Sequence, residues 1–221
     1  MTDPIDRILT HIPAHFFQNL LEQTDAAFAK AFRLTNDHYA EPERAAMLGQ
    51  SRHACCEEAF RRAAQHAGLK AKAPHTQPAG GRYSLVEQGG IYLVRGNVQR
   101  HCGTPRPSHF RRAWAELNAW MEPLQLDFLC DVPEPSSDKL CGMLVVTAHR
   151  ELGDASLPAY VGLGIPNSDL SDWLLLESLN KVLARYHDHD TQAHKPAGPN
   201  ISVKDSALPR LKNKLDGDEP S

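Results

Sequence analysis

Hydrophobic positions recur at helical spacing from the start of the chain. Ile5, Ile8, Leu9 and Ile12 mark one face of a first helix over residues 4–12. Pro13 suits the first turn of a second helix, where a missing N–H leaves no bond unmade. Phe16, Phe17, Leu20, Leu21, Phe28 and Phe32 supply the apolar stripe of that helix, which stops near Thr35-Asn36-Asp37. Glu41-Pro42 opens a third helical stretch to about Ala67, with Gly49 and Ser51 as a candidate break. Gly68 followed by Leu69 is expected to cap it, the glycine taking a left-handed conformation and the leucine making the accompanying apolar contact.

The period then changes. Residues 71–81 hold Pro74, Pro78 and the Gly80-Gly81 pair, and predict a loop. Tyr83-Ser84-Leu85-Val86 and Ile91-Tyr92-Leu93-Val94 flank Glu87-Gln88-Gly89-Gly90. Two β-rich runs around a glycine pair predict a hairpin, because glycine supplies positive φ in a tight turn. Ser108 can cap a helix to about Met121, with Phe110, Trp114, Leu117 and Met121 on one face. Residues 122–138 are acidic and proline-bearing, hence a loop. Residues 140–148 form a continuous apolar run, as in a strand buried on both faces. Residues 157–165 predict another strand, in which Gly162-Leu163-Gly164 signals close packing. A last helix is expected from Pro166-Asn167-Ser168 to Tyr186, with Asp169 and Asp172 in its first turn and Lys181 and Arg185 in its last, an arrangement that suits the helix dipole. Leu176, Leu179, Leu183 and Tyr186 are its buried stripe.

The fold class that follows is α+β. A helical N-terminal third precedes two β-hairpin–helix units, which form a mainly antiparallel four-stranded sheet covered by helices. Residues 1–186 make one domain, with a helical part over 1–69 and a sheet-and-helix part over 82–186. Residues 187–221 are polar and proline-bearing and are expected to be a flexible tail.

Charge changes this picture more than composition does. The whole chain carries a formal net charge of only −3. Residues 1–60 hold five Lys/Arg against nine Asp/Glu, and residues 113–221 hold nine against seventeen. Residues 61–112 hold ten Lys/Arg against the single acid Glu87, a net of +9. These cations are Arg61, Arg62, Lys70, Lys72, Arg82, Arg95, Arg100, Arg106, Arg111 and Arg112. Arginine bonds phosphate bidentately, and Tyr83, Tyr92 and Phe110 interleave with the arginines as stacking partners for bases. The pattern predicts a non-catalytic binding or regulatory protein with a basic central surface for nucleic acid or another polyanion. The opposing expectation is that the arginines pair with the acidic flanks or with an acidic protein partner.

Other residues suggest other chemistry. His53 and Glu57 share a helix face at a spacing of four, with Cys55, Cys56 and Glu58 beside them. Together with His101 and Cys102, these donors suit zinc or another divalent metal, with a carboxylate as base for bound water. That gives the alternative reading, a metal-dependent hydrolase of nuclease type using His53, Glu57, Glu58 and His101. His187-Asp188-His189-Asp190 and His194 form a second, weaker set of donors. The Arg61-to-His66 and Arg95-to-His101 spacings resemble the Arg-x4–6-His signature of HEPN ribonucleases, in which the two residues act at a dimeric helical groove. Twelve histidines among this many arginines produce about two such spacings by composition alone. A third reading is a protein-interaction subunit, such as an inhibitor or antitoxin, using the helical third and residues 200–215.

Several classes lack their signals. No phosphate-binding glycine loop and no Gly-x-Ser-x-Gly elbow is present, so no cofactor is expected. The five cysteines (Cys55, Cys56, Cys102, Cys130 and Cys141) form no Cys-x-x-Cys pair, which points to reduced thiols in the cytoplasm. The start of the chain carries no secretory signal pattern, and the longest apolar run is far short of the roughly 20 residues that span a bilayer.

Overall fold

A computed structural model describes residues 3–76, 80–98, 103–122, 138–149 and 153–193, excepting the side chains of residues 189–193. Three helices come first: α1 (Pro4–His11), α2 (Ala14–His38) and α3 (Glu43–His66). Asp3 caps α1 by accepting from the Ile5 amide at 3.0 Å. Helix α3 passes through Gly49 and Ser51 without a break. It ends as expected at Gly68, whose φ is +70. The Leu69 amide donates to the Ala64 carbonyl and the Gly68 amide to the Gln65 carbonyl, and Leu69 is buried.

The strands form one six-stranded sheet in sequence order: β1 (Ala71–Lys72), β2 (Leu85–Gln88), β3 (Ile91–Asn97), β4 (Leu140–Ala148), β5 (Pro158–Pro166) and β6 (Trp173–Ser178). Neighbours are antiparallel except β3 and β4, which run parallel. The β2–β3 hairpin closes on Gly89 and Gly90, with φ of +57 and +77, the conformation a two-residue turn between twisted strands requires. Between β3 and β4 the chain forms α4 (His109–Ala115) and a 3-10 turn over Glu116–Met121. Helix α5 (Leu179–Ala193) follows β6. Among the described residues no helix is long and apolar enough to cross a membrane.

The α+β class and the mainly antiparallel sheet stand, but three finer expectations are corrected. The sheet has six strands rather than four. Residues 71–72, expected in a loop, pair with β2. Residues 173–178, expected in the last helix, form β6, and the helix begins only at Leu179. The Trp-Leu-Leu-Leu run supports either a strand or a helix locally. Antiparallel pairing with the free edge of β5 decides the matter. With β6 the second of the expected hairpin–helix units is corrected too: three strands, β4, β5 and β6, precede α5.

Period-two alternation on the strands gives the sheet two covered faces. Val86, Ile91, Leu93, Leu140, Leu144, Leu163 and Ile165 pack in one cluster with residues of α1, α2, α3 and α5. Leu85, Val94, Cys141 and Met143 pack on the other face with Ala115 and Leu170. Gly164 lies directly under the Trp173 ring, where a Cβ would collide with it. The close packing expected of that glycine is thus present. Residues 194–221, and with them His194 and most of the expected tail, lie outside the described residues. So do the side chains of His189 and Asp190.

Candidate functional site

Helix α3 presents two adjacent carboxylates in different directions, because successive residues are about 100° apart round a helix. Glu58 faces α2, where it meets Lys30 at 3.0 Å and Arg62 at 2.7 Å. Glu57 faces the sheet and is buried. Arg95 lies on β3 in the row of Ile91 and Leu93, so alternation turns it toward α3 rather than toward water. Its Nε donates to Glu57 Oε1 at 3.0 Å, with side-chain exposures of 3% and 8%. Glu57 Oε2 accepts from the Ser84 amide at 2.7 Å, Ser84 Oγ donates to the Glu57 carbonyl, and Arg61 donates to Ser84 Oγ. The other end of the Arg95 guanidinium bonds Asn97 Oδ1 and lies 2.5 Å from His53 Nδ1. Arginine only donates, so His53 Nδ1 accepts and the ring proton sits on Nε2.

His53 and Glu57 therefore do converge, but on a guanidinium. Burial, then Arg95, holds the His53 pKa below the ordinary histidine value; Glu57 opposes and Arg111 adds to the fall. Arg111 is depressed as well, by burial first and then by Arg95, with Glu57 opposing. Both oxygens of Glu57 are engaged and Glu58 points away, so His53, Glu57 and Glu58, the described residues of the hydrolase reading, are not gathered round one cation-sized space. Among the described residues no group of three or more His, Cys, Asp or Glu has a metal-binding arrangement. His101, Cys102 and Cys130 lie outside the described residues. Burial raises the Cys56 thiol to about 11 and raises Cys55 also. Arg61 and His66 are about 140° apart round α3, and Arg61 is spent on Ser84.

The ten cations of the basic stretch separate into groups. Arg62, Lys72 and Arg95 pair with Glu58, Glu87 and Glu57. Arg82 donates to the Ala73 carbonyl, and Arg111 to the Arg106 carbonyl at 2.7 Å. Lys70, Arg106 and Arg112 are exposed and have no carboxylate partner among the described residues. Arg100 lies outside those residues.

A cleft of about 400 Å³ opens between the hairpin approach and α4. Pro74, His75, Tyr83, His109, Phe110, Ala113 and Trp114 line it. Its walls are aromatic and mutually braced. Tyr83 stacks on Phe110 with centroids 4.6 Å apart, Trp114 stacks on Tyr92 at 5.1 Å, and Trp114 Nε1 donates to the Tyr83 hydroxyl at 3.2 Å. Arg82 pairs across a bridge with His75, and Arg112 follows His109 by one turn of α4. Sequence reasoning singled out Tyr83, Tyr92 and Phe110, and placed Trp114 on an apolar helix face. It missed His75, His109 and Pro74, which stand alone in the sequence with no partner at a telling spacing. It also missed Ser84 and Asn97 as partners of the buried charges; the Arg95-x-Asn97 alternation on a strand was the available signal. No protein-family model, curated protein or solved structure matches this chain.

Proposed function

We propose that the protein is a non-catalytic binding protein that holds single-stranded nucleic acid in the cleft between the hairpin and α4. The observation that carries this reading is the aromatic cleft of Tyr83, Phe110 and Trp114, whose lining residues Tyr83 and Ala113 are flanked in the chain by the exposed Arg82 and Arg112. Stacking on aromatic side chains suits any base, and is worth roughly 1–3 kcal/mol per base. Exposed arginines without carboxylate partners supply the phosphate contacts and the salt dependence. The dock is smaller than the +9 charge of residues 61–112 suggests, because three of those cations are neutralised by Glu57, Glu58 and Glu87.

The test is fluorescence anisotropy with labelled single-stranded DNA and RNA at rising salt. The expected result is an affinity that falls with salt, and an Arg82→Ala/Arg112→Ala double variant that weakens binding across sequences and flattens the slope. Binding without a salt slope, or unchanged by the double variant, overturns the reading. A protein that binds no oligonucleotide at low salt also overturns it.

A further inference from the structure

A second feature lies where β3, α3 and the first turn of α4 approach one another. Arg95 bonds Glu57 and His53 there, and Arg111 lies near enough for its charge to act on His53 and to feel Arg95 and Glu57. The Arg95 charge is answered by Glu57. Arg111 has no carboxylate partner among the described residues. Its NH1 donates to the Arg106 carbonyl, while its Nε is shut away from water without a hydrogen-bond partner. Ser108 Oγ, three residues earlier, is buried and unpartnered as well. An unsatisfied buried polar group is costly, and Ser108 Oγ and Arg111 Nε are two such groups about one helical turn apart.

The backbone explains why these side chains come together. Pro105 packs on Gly96 of β3, where an added Cβ would stand 3.1 Å from its Cγ. Gly96 lies between Arg95 and Asn97, so residues 105–106 are held against that end of the strand, and the Arg106 carbonyl anchors Arg111. Trp173 Nε1 donates to the Gly103 carbonyl at 3.3 Å and holds the other end of the loop. His53, with Nδ1 occupied by Arg95, carries its proton on Nε2 and has a donor to offer outward from an exposed position.

We propose that Arg111 and His53, backed by the charge of Arg95 and joined by the Ser108 hydroxyl, form a seat for a tetrahedral phosphate-type oxyanion. With Glu57 spent on Arg95 and His53 neutral, the cluster carries one uncompensated positive charge in a half-buried position. A phosphate oxyanion supplies that charge and accepts from Arg111 in the two-pronged geometry that suits guanidinium. The seat adjoins the aromatic cleft, since the Arg111 guanidinium lies 5.0 Å from the centroid of the Phe110 ring, but it draws on different polar groups and does not need the nucleic-acid reading to hold. It takes either a small free phosphate or the terminal phosphate of an oligonucleotide.

The experiment is a titration of the full chain with inorganic phosphate against chloride at matched ionic strength, followed by thermal unfolding and isothermal calorimetry. A parallel arm uses a single-stranded oligonucleotide with and without a 5′-phosphate. The expected result is saturable binding of phosphate or of the phosphorylated end. Arg111→Gln is expected to weaken it about tenfold or more, Arg111→Lys less, and His53→Asn measurably, while Lys181→Gln on the far helix changes nothing. Binding of inorganic phosphate assigns a small ligand. Preference for the phosphorylated oligonucleotide alone assigns a nucleic-acid end. Arg111→Lys keeps the test open if Arg111→Gln does not fold. No difference between phosphate and chloride together with no preference for the phosphorylated end overturns the proposal, as does phosphate binding that Arg111→Gln and Arg111→Lys both leave intact. Oligonucleotide binding in the aromatic cleft can fail while phosphate binding survives, so the two readings fall separately.

Discussion

Arg95 donates to Glu57 from the middle of a strand to the inner face of a helix, 3.0 Å apart and almost wholly out of water. Both residues occupy positions that the alternation of β3 and the period of α3 assign to the core. The pair is therefore a polar plug in an otherwise apolar layer. Breaking a buried pair from one side leaves the other charge unanswered, at a cost of about 3–5 kcal/mol. Glu57→Ala is expected to destabilise the protein by that order in urea unfolding, and it also strands the Ser84 amide. A Glu57→Leu/Arg95→Met double variant is expected to cost less than Glu57→Ala alone. Equal or greater loss in the double variant would show that the network, rather than the lone charge, carries the stability.

The same cluster gives a pH dependence. His53 has its pKa held below the usual value by burial, Arg95 and Arg111, against the opposing pull of Glu57. In the unfolded chain it takes a proton near pH 6.5. Below that pH the unfolded state therefore binds a proton that the fold refuses, and stability falls as pH falls. Urea unfolding at about pH 7.5 and about pH 5.5 should show a larger loss for the natural protein than for His53→Asn. Identical losses would mean that His53 protonates as freely in the fold as out of it.

Thiol reactivity follows burial. Cys56 has its pKa pushed up to about 11, and Cys141, fully enclosed under the sheet, is raised further. The thiolate is the reactive form. Alkylation at about pH 8 under native conditions, read by peptide mass spectrometry, is expected to leave Cys56 and Cys141 unmodified. Prompt labelling of Cys141 would show that the α4 layer opens.

Asn118 substitutes for a strand. β5 pairs with β4 only from Met143 onward, so the Cys141 backbone lies beyond its reach. The Asn118 side chain accepts from the Cys141 amide at 2.8 Å and donates to the Cys141 and Pro166 carbonyls. Asn118→Ala is expected to cost about 1–3 kcal/mol for the orphaned amide alone, measured by thermal or urea unfolding. A near-neutral result would mean that water replaces the side chain in a site that is otherwise closed.

The chain by itself determined the features whose causes are local. Helices α1 to α3, the glycine end of α3, the Gly89-Gly90 hairpin and the buried strand β4 follow from apolar period and turn chemistry within a few residues. The presence of a basic stretch with interleaved aromatics was equally legible, since charge is counted without coordinates. Pairing was not. Whether Trp173-Leu174-Leu175-Leu176 became strand or helix depended on an open edge of β5, and the parallel contact of β3 with β4 joined residues almost fifty positions apart. Tertiary structure also decided the fate of each arginine. Arg95 and Arg112 are the same side chain in the same basic run, yet a strand's alternation carried one under α3 to Glu57 and a short helix left the other in water. A guanidinium's energy depends on the solvent and charge that surround it, and those surroundings are assembled only when distant segments pack.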